Sequence, residues 1–490
     1  MYIFGKTSTR CAPWKSYNAP MKTVVAAALA LLVLLAESTV QAQSDDAPPA
    51  IALIGATLLD VSNSGHSTHD IPNAVVILRG TKIEAAGPAA LVKIPKNAKT
   101  LDYTGSYLLP GLVDGFGGLN SQAQANAWLY MGVTTIVGFQ DDRRGMLKRD
   151  AHPSPHIYPL DGAGFIDQYS LLIDLPEWSS KVKKGEEFQN LSEQETKSQI
   201  EELARRGTRA IWIGQDLTAA QTKFIISECH RLGLITYGEF IATPYSDALT
   251  DGIDVLLHMS RYELGLIPSR LHEPLLQDPF GAALGPAYAY LRQLNPADPS
   301  IAAFGKQISA ARAALMPTLS LSYLQLPDHR NLWKEPAASI LDPKGLYQPS
   351  DPMTGEATTK YSPNDTRHLT TEDDAHFWAI NRALQVARPL NLAGTASPAF
   401  GTMPGISMHT ELELLVRLGL TPREALAAAT SNYSQHFGWH ELGLVEAGRR
   451  ADLLILAADP TVDISNTRKI RSVILDGAVL DRPALLNVPR

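Results

Sequence analysis

Cysteine is nearly absent: the 490 residues hold two, Cys11 and Cys229, so at most one internal disulfide could form. A Walker loop, a Gly-x-Ser-x-Gly elbow, a His-Glu-x-x-His pair and a cysteine pair are all missing. That removes P-loop, serine-elbow and helix-borne zinc-protease chemistry. Basic clusters are missing too, with Lys and Arg at 43 against 50 Asp and Glu, which argues against a nucleic-acid partner. There are no internal repeats or low-complexity tracts. Long apolar runs are scarce: the main one, Val24–Ala36, falls short of the about 20 residues a membrane span needs. What is present is ordinary for a globular protein, 45% hydrophobic and 19% charged residues, so a packed core is expected.

The run Val24–Ala36 follows Lys22 and precedes small residues around Val40-Gln41-Ala42. Residues 1–42 therefore predict a leader removed on export, with Met21 as a second candidate start. A membrane anchor or a buried helix is the other explanation of the same run. Removing the leader takes Cys11 with it, leaving Cys229 alone, and makes the chain more acidic than its formal net charge of −7. Export without disulfides points to a periplasmic or secreted protein with no stable membrane span after processing.

Strand-like alternation marks Ala50–Ile54, Ala74–Leu78 and Lys82–Gly87, and again Ala451–Leu456 and Ile470–Gly477. Between them lie eight short β-type runs: Tyr107–Val113, Thr134–Phe139, His156–Asp161, Ala210–Gln215, Leu234–Phe240, Val255–Ser260, Ala314–Leu319 and Leu390–Thr395. Helical sequence separates most of them, as in Glu193–Arg206 and Thr218–Leu232, and a further helix is expected at Thr421–Thr430 after the last. Eight βα units suit an α/β fold of the (β/α)8 TIM type. A proline-rich stretch at about 323–370 follows the seventh run. It is either a functional loop at the C-terminal face or a plain surface insertion.

Leu109-Pro110-Gly111-Leu112-Val113-Asp114-Gly115-Phe116-Gly117-Gly118 strongly resembles the first-strand sequence of the amidohydrolase superfamily, Pro-Gly-Leu-Ile-Asp-x-His-x-His. The likeness is closest to the imidazolonepropionase- and prolidase-like branch. It implies a barrel over 105–439 and a small β-sandwich built from 50–104 and 440–490, closed by Gly448–Leu453 and Val473–Gly477. It also implies one or two divalent metals such as zinc at the barrel mouth. The family's ligands are a His-x-His pair, a carboxylated lysine on strand four, histidines on strands five and six, and an aspartate after strand eight. Carried onto this chain, those positions read Phe116, Gly118, Trp212, Gly238, His258 and Ala396. Gly238 is placed by counting back from His258.

Of these residues only His258 has a lone pair to offer a cation, and one imidazole is short of a zinc site. The expectation is therefore no metal ligand set and no cofactor. Phe116 and Trp212 would fill the vacated volume or line a pocket for an organic ligand, and Trp212 could touch His258. The catalytic candidates are weak: His258, Asp216 and Asp114, with Asp161, Glu239 and Ser397 also near predicted strand ends. A carboxylate beside His258 could do acid–base work. His409 and Glu411 match a family phrase after strand eight and are expected to shape the mouth. Cys229 and His230 read as packing or surface residues. The leading expectation is a homologue without metal-dependent hydrolysis, a pseudoenzyme that binds a small molecule, self-associates or pairs with an active relative. The alternative is a hydrolase of non-peptide or dipeptide carbon–nitrogen bonds using a relocated or metal-independent site.

Overall fold

The eight apolar runs become the strands Leu112–Leu119, Val133–Gln140, His156–Ala163, Ala210–Ile213, Ile235–Gly238, Val255–Leu257, Ala314–Met316 and Leu390–Asn391. They are seen in a computed structural model that describes residues 48–140, 153–167, 170–182, 189–358 and 371–487. The expected leader, 1–42, lies outside the described residues. The strands pair in chain order, each parallel to the next. Parallel strands are covered on both faces, which is why these runs are mostly apolar. Inward, Val113, Val137, Tyr158, Leu160, Tyr237 and Met316 share one core cluster. Outward, residues such as Ile136, Ile211 and Leu315 pack into the helical layer's core.

The first and last strands meet, closing a TIM-type barrel. Gly115 N–H donates to Ala393 O at 3.0 Å, Ala396 N–H to Phe116 O at 2.7 Å, and Gly118 N–H to Ser397 O at 2.7 Å. A methyl group on Gly115 would lie 1.8 Å from Tyr433 Oη, so the seam needs glycine there.

Two further sheets lie beside the barrel. One holds Ala50–Ile54, Ala74–Arg79, Lys82–Pro88 and Lys99–Asp102. The other joins Thr57–Leu58 and Tyr107–Pro110 to Leu453–Leu456, Ile470–Leu475 and Ala478–Val479. Leu53, Val76 and Leu78 of the first sheet and Leu108, Leu453 and Ile474 of the second share an apolar cluster. Both ends of the chain thus contribute to one sandwich core.

The expected first barrel run, Tyr107–Val113, is two strands. Tyr107–Pro110 pairs antiparallel with Leu453–Leu456, and the barrel strand starts at Leu112. The break falls at Gly111, whose N–H donates to Asp452 O at 2.9 Å. An added methyl there would come within 2.2 Å of Thr134.

The helices start where local sequence says they should. Ser192/Glu195, Thr218/Gln221 and Thr421/Glu424 each form a reciprocal capping box ahead of Glu193–Arg205, Ala219–Arg231 and Pro422–Ala428. After strand seven the chain makes 3-10 turns at Leu319–Gln325, Leu332–Lys334, Pro336–Ile340 and Pro343–Gly345. Among the described residues no helix is long and apolar enough to cross a membrane.

Candidate functional site at the barrel mouth

Chemistry in TIM-type barrels sits at the C-terminal strand ends, and strand one supplies the first residues there. Asp114 does not face the mouth. It is fully buried and ties strand one to strand eight, accepting from Thr395 N–H at 3.0 Å, Thr395 Oγ1–H at 2.6 Å and Phe116 N–H at 3.2 Å. Burial pushes its carboxyl up to about 7 despite those donors. Ser397 belongs to the same seam, its Oγ 2.9 Å from Thr395 Oγ1. Two residues on, the half-buried Phe116 ring meets Phe139 and His258 edge-on, with centroids 5.8 and 5.3 Å apart. Gly118 lies against Pro398, and Ala396 takes a left-handed turn at φ 54°.

Strand four brings Trp212 into the inner cluster, where it packs edge-on against Phe165 at 5.5 Å. Its ring partner there is Phe165. Asp216 is exposed on the rim near Gly214. Asp161 is turned into its own loop, accepting from Gly162 N–H, Ser170 Oγ–H and Leu171 N–H at 2.7–2.9 Å.

Strand five corrects the expected register. Tyr237 is the residue in the inner cluster, so its neighbour Gly238 faces out, where a methyl group would meet Phe240 and Ile253 of the helical layer. Side chains alternate faces along a strand, so Glu239 carries on the inward parity of Tyr237. The inward residue after Tyr237 is thus Glu239, one position beyond the expected Gly238.

Glu239 and His258 therefore stand together at the ends of adjacent strands, with His258 Nε2 3.5 Å from Glu239 Oε2. His258 has a left-handed backbone, φ 56°, and its Nδ1 lies 2.7 Å from Thr318 Oγ1. Arg261 Nε–H donates to Glu239 Oε1 at 3.1 Å, and Gln215 Nε2–H donates to the same oxygen. Arg261 is fixed in turn by Tyr288 Oη at 2.7 Å. Burial alone would raise the Glu239 carboxyl. The charges and hydrogen bonds of His258 and Arg261 outweigh that and hold it down at about 2, so it is ionised at neutral pH.

Glu411 supports this corner from behind. It accepts from Leu319 N–H at 2.9 Å and Ser320 N–H at 2.7 Å, the residues after Thr318, and burial pushes its carboxyl up to about 8. His409, expected beside it at the mouth, faces away. Its Nε2–H donates to Met131 O at 2.8 Å and its Nδ1 meets Thr467 Oγ1 at 2.9 Å. Cys229 is buried, while His230 pairs with Asp254 at 3.0 Å.

The mouth as built does not fit the family's pair of divalent cations. Phe116, Gly118, Trp212 and Ala396 offer no lone pair, which leaves Glu239 and His258 as donors, short of the set that two cations need. The expectation of no cofactor and no metal ligand set is nonetheless overturned. His156, Asp452 and Asp476 bring three ligand atoms within 4.8 Å of one another, in a fold whose relatives depend on divalent metals. Sequence reasoning missed this group because its members lie far apart in the chain and outside the barrel mouth.

The comparisons with known proteins agree with the architecture. The family model "Amidohydrolase family" matches residues 380–480. An imidazolonepropionase from Deinococcus radiodurans is 29% identical over 143 residues, covering 29% of this chain and 35% of that protein. The match thus spans about a third of that relative's length. Among solved structures, a protein assigned as a prolidase from Bifidobacterium longum has a TM-score of 0.56 at 21% identity, covering 90% of this chain and 99% of that one. A Xaa-Pro dipeptidase with methionine bound in its active site has a TM-score of 0.54 at 14% identity, covering 88% and 100%. Likeness at these identities is a likeness of fold.

Proposed function

We propose that the chain is an amidohydrolase-superfamily protein whose barrel mouth takes up a small organic molecule bearing an amide-type carbon–nitrogen bond. The observation that carries this is the Glu239–His258 pair. It is a carboxylate and an imidazole held 3.5 Å apart where ligands enter such barrels. Half-buried Phe116, Phe139 and Trp212 supply apolar surface beside it. An apolar wall with a few placed polar groups is the usual make-up of a small-molecule pocket. In this arrangement Glu239 accepts from the amide N–H, and His258 presents Nε2 to its carbonyl.

Hydrolysis of that bond is the second reading, and the same pair favours it. A carboxylate beside an imidazole can relay a proton to and from water during attack on an amide carbon. Thr318 and Gln215 orient the two groups from behind. No step is assigned to a metal at the mouth, because its side chains do not fit one. Residence in the periplasm is part of the proposal, on the strength of the leader-like sequence of residues 1–42.

A panel of dipeptides, N-acyl amino acids, lactams and arylureas tests both readings. Thermal-shift hits that disappear in His258→Ala and Glu239→Gln support uptake at the mouth. Product formation lost in the same variants moves the assignment to hydrolysis. Hits that survive both substitutions would overturn the site.

A further inference from the structure

We propose that His156, Asp452 and Asp476 form a zinc site that clamps the barrel to the sandwich, at the end of the barrel opposite the mouth. His156 opens strand three, at the strand's N-terminal end. Asp452 immediately precedes the sandwich strand Leu453–Leu456. Asp476 and Gly477 are the two-residue turn between Ile470–Leu475 and Ala478–Val479, both with positive φ, 49° and 77°. Asp-Gly is the sequence that favours this tight hairpin, so local chemistry places the third carboxylate.

Two of the three edges have the length a tetrahedral zinc requires. His156 Nε2 lies 3.3 Å from Asp452 Oδ2 and 3.4 Å from Asp476 Oδ1. With bonds of about 2.0–2.1 Å to nitrogen and oxygen, the edge of a zinc tetrahedron is about 3.3 Å. A second observation points the same way: His156 Nε2 is buried, makes no well-directed hydrogen bond and faces both carboxylates at once, as ligands converging on a shared centre do. Two carboxylates and an imidazole are a nitrogen–oxygen set that suits zinc better than calcium, which takes six or more oxygens.

The surroundings are compatible with an ion. Arg450 donates to Asp452 Oδ2, and Asp476 N–H donates to Asp452 Oδ1 at 2.8 Å. Ligating carboxylates are commonly held by such outer partners. Arg450 offsets one of the two negative charges, which leaves the trio net negative toward a dication. His156 and Asp476 keep 26% and 41% of their side-chain surface exposed, so water can reach the fourth position.

The test uses the full chain, stripped with a chelator, dialysed and titrated with zinc against a metal indicator. One zinc per chain is expected. His156→Ala and Asp476→Asn should each weaken it by more than the roughly 10–100-fold that losing an outer partner costs, while His258→Ala leaves it unchanged. Asp476 is partly exposed, so its amide variant guards against misfolding as the cause. Calcium and magnesium should not compete at equal concentration. Failure to bind zinc at micromolar concentration, or binding lost in His258→Ala but kept in Asp476→Asn, would overturn the proposal.

Discussion

Replacing Glu263 with glutamine should leave stability near pH 4.5 almost unchanged and raise it at pH 8. Glu263 lies in the turn after strand six and is buried. Its carboxylate has Asn381 Nδ2 as donor, and Asn381 Oδ1 is buried without a partner. Burial pushes the Glu263 carboxyl up from 4.5 to about 7. Below pH 4.5 the group is protonated in both folded and unfolded chains, so nothing is lost. As the pH rises from 4.5 through 7 the unfolded chain releases this proton while the native one keeps it, and stability falls. At about 1.4 kcal/mol per unit, a shift of this size costs about 3 kcal/mol by pH 8. Glutamine carries no proton to lose. At low pH the protonated carboxyl and the amide are both neutral donors beside Asn381, so the two proteins differ little there. Urea unfolding of both proteins at pH 5 and pH 8 measures the difference. A gap between wild type and Glu263→Gln that stays constant across that range would refute the reasoning.

Three further outcomes follow from single residues. Asp114→Ala strips two amides and a hydroxyl of a buried acceptor at the strand-one to strand-eight seam. It should cost about 3 kcal/mol or more, read as a lower urea midpoint, whereas Asp114→Asn keeps an acceptor and should cost less. Cys229 is buried and its thiol is pushed well up by that burial, so a thiol reagent should label it only after denaturation; rapid labelling of native protein would contradict the packing. Protein recovered from its native host should begin close to Gln43 if Val24–Ala36 is a cleaved leader, and Edman sequencing or intact mass would show it.

Much of the fold was legible because its determinants are local. The eight barrel runs announce themselves through continuous apolar sequence, and the capping boxes at Ser192, Thr218 and Thr421 each lie within four residues. The Asp476-Gly477 turn is likewise written in two residues. The site was less legible. His258 is recognisable from the family frame and Glu239 stands among the strand-end carboxylates, but the family spacing puts Gly238 rather than Glu239 on the inward face. Alternation has a period of two, so a slip of one exchanges the faces of a strand. The better signal was available in Tyr237, a bulky apolar residue that the barrel interior had to take.

By itself the sequence determined where most strands and helices lie and the barrel class. Tertiary structure alone decided that the run at Tyr107–Val113 serves two sheets, that Asp114 and Thr395 close the barrel, and that His156 meets Asp452 and Asp476. The physical reason is distance along the chain. Capping and alternation act between neighbours and leave a local pattern, whereas closing a seam or gathering ligands joins segments hundreds of residues apart, whose approach is set by packing.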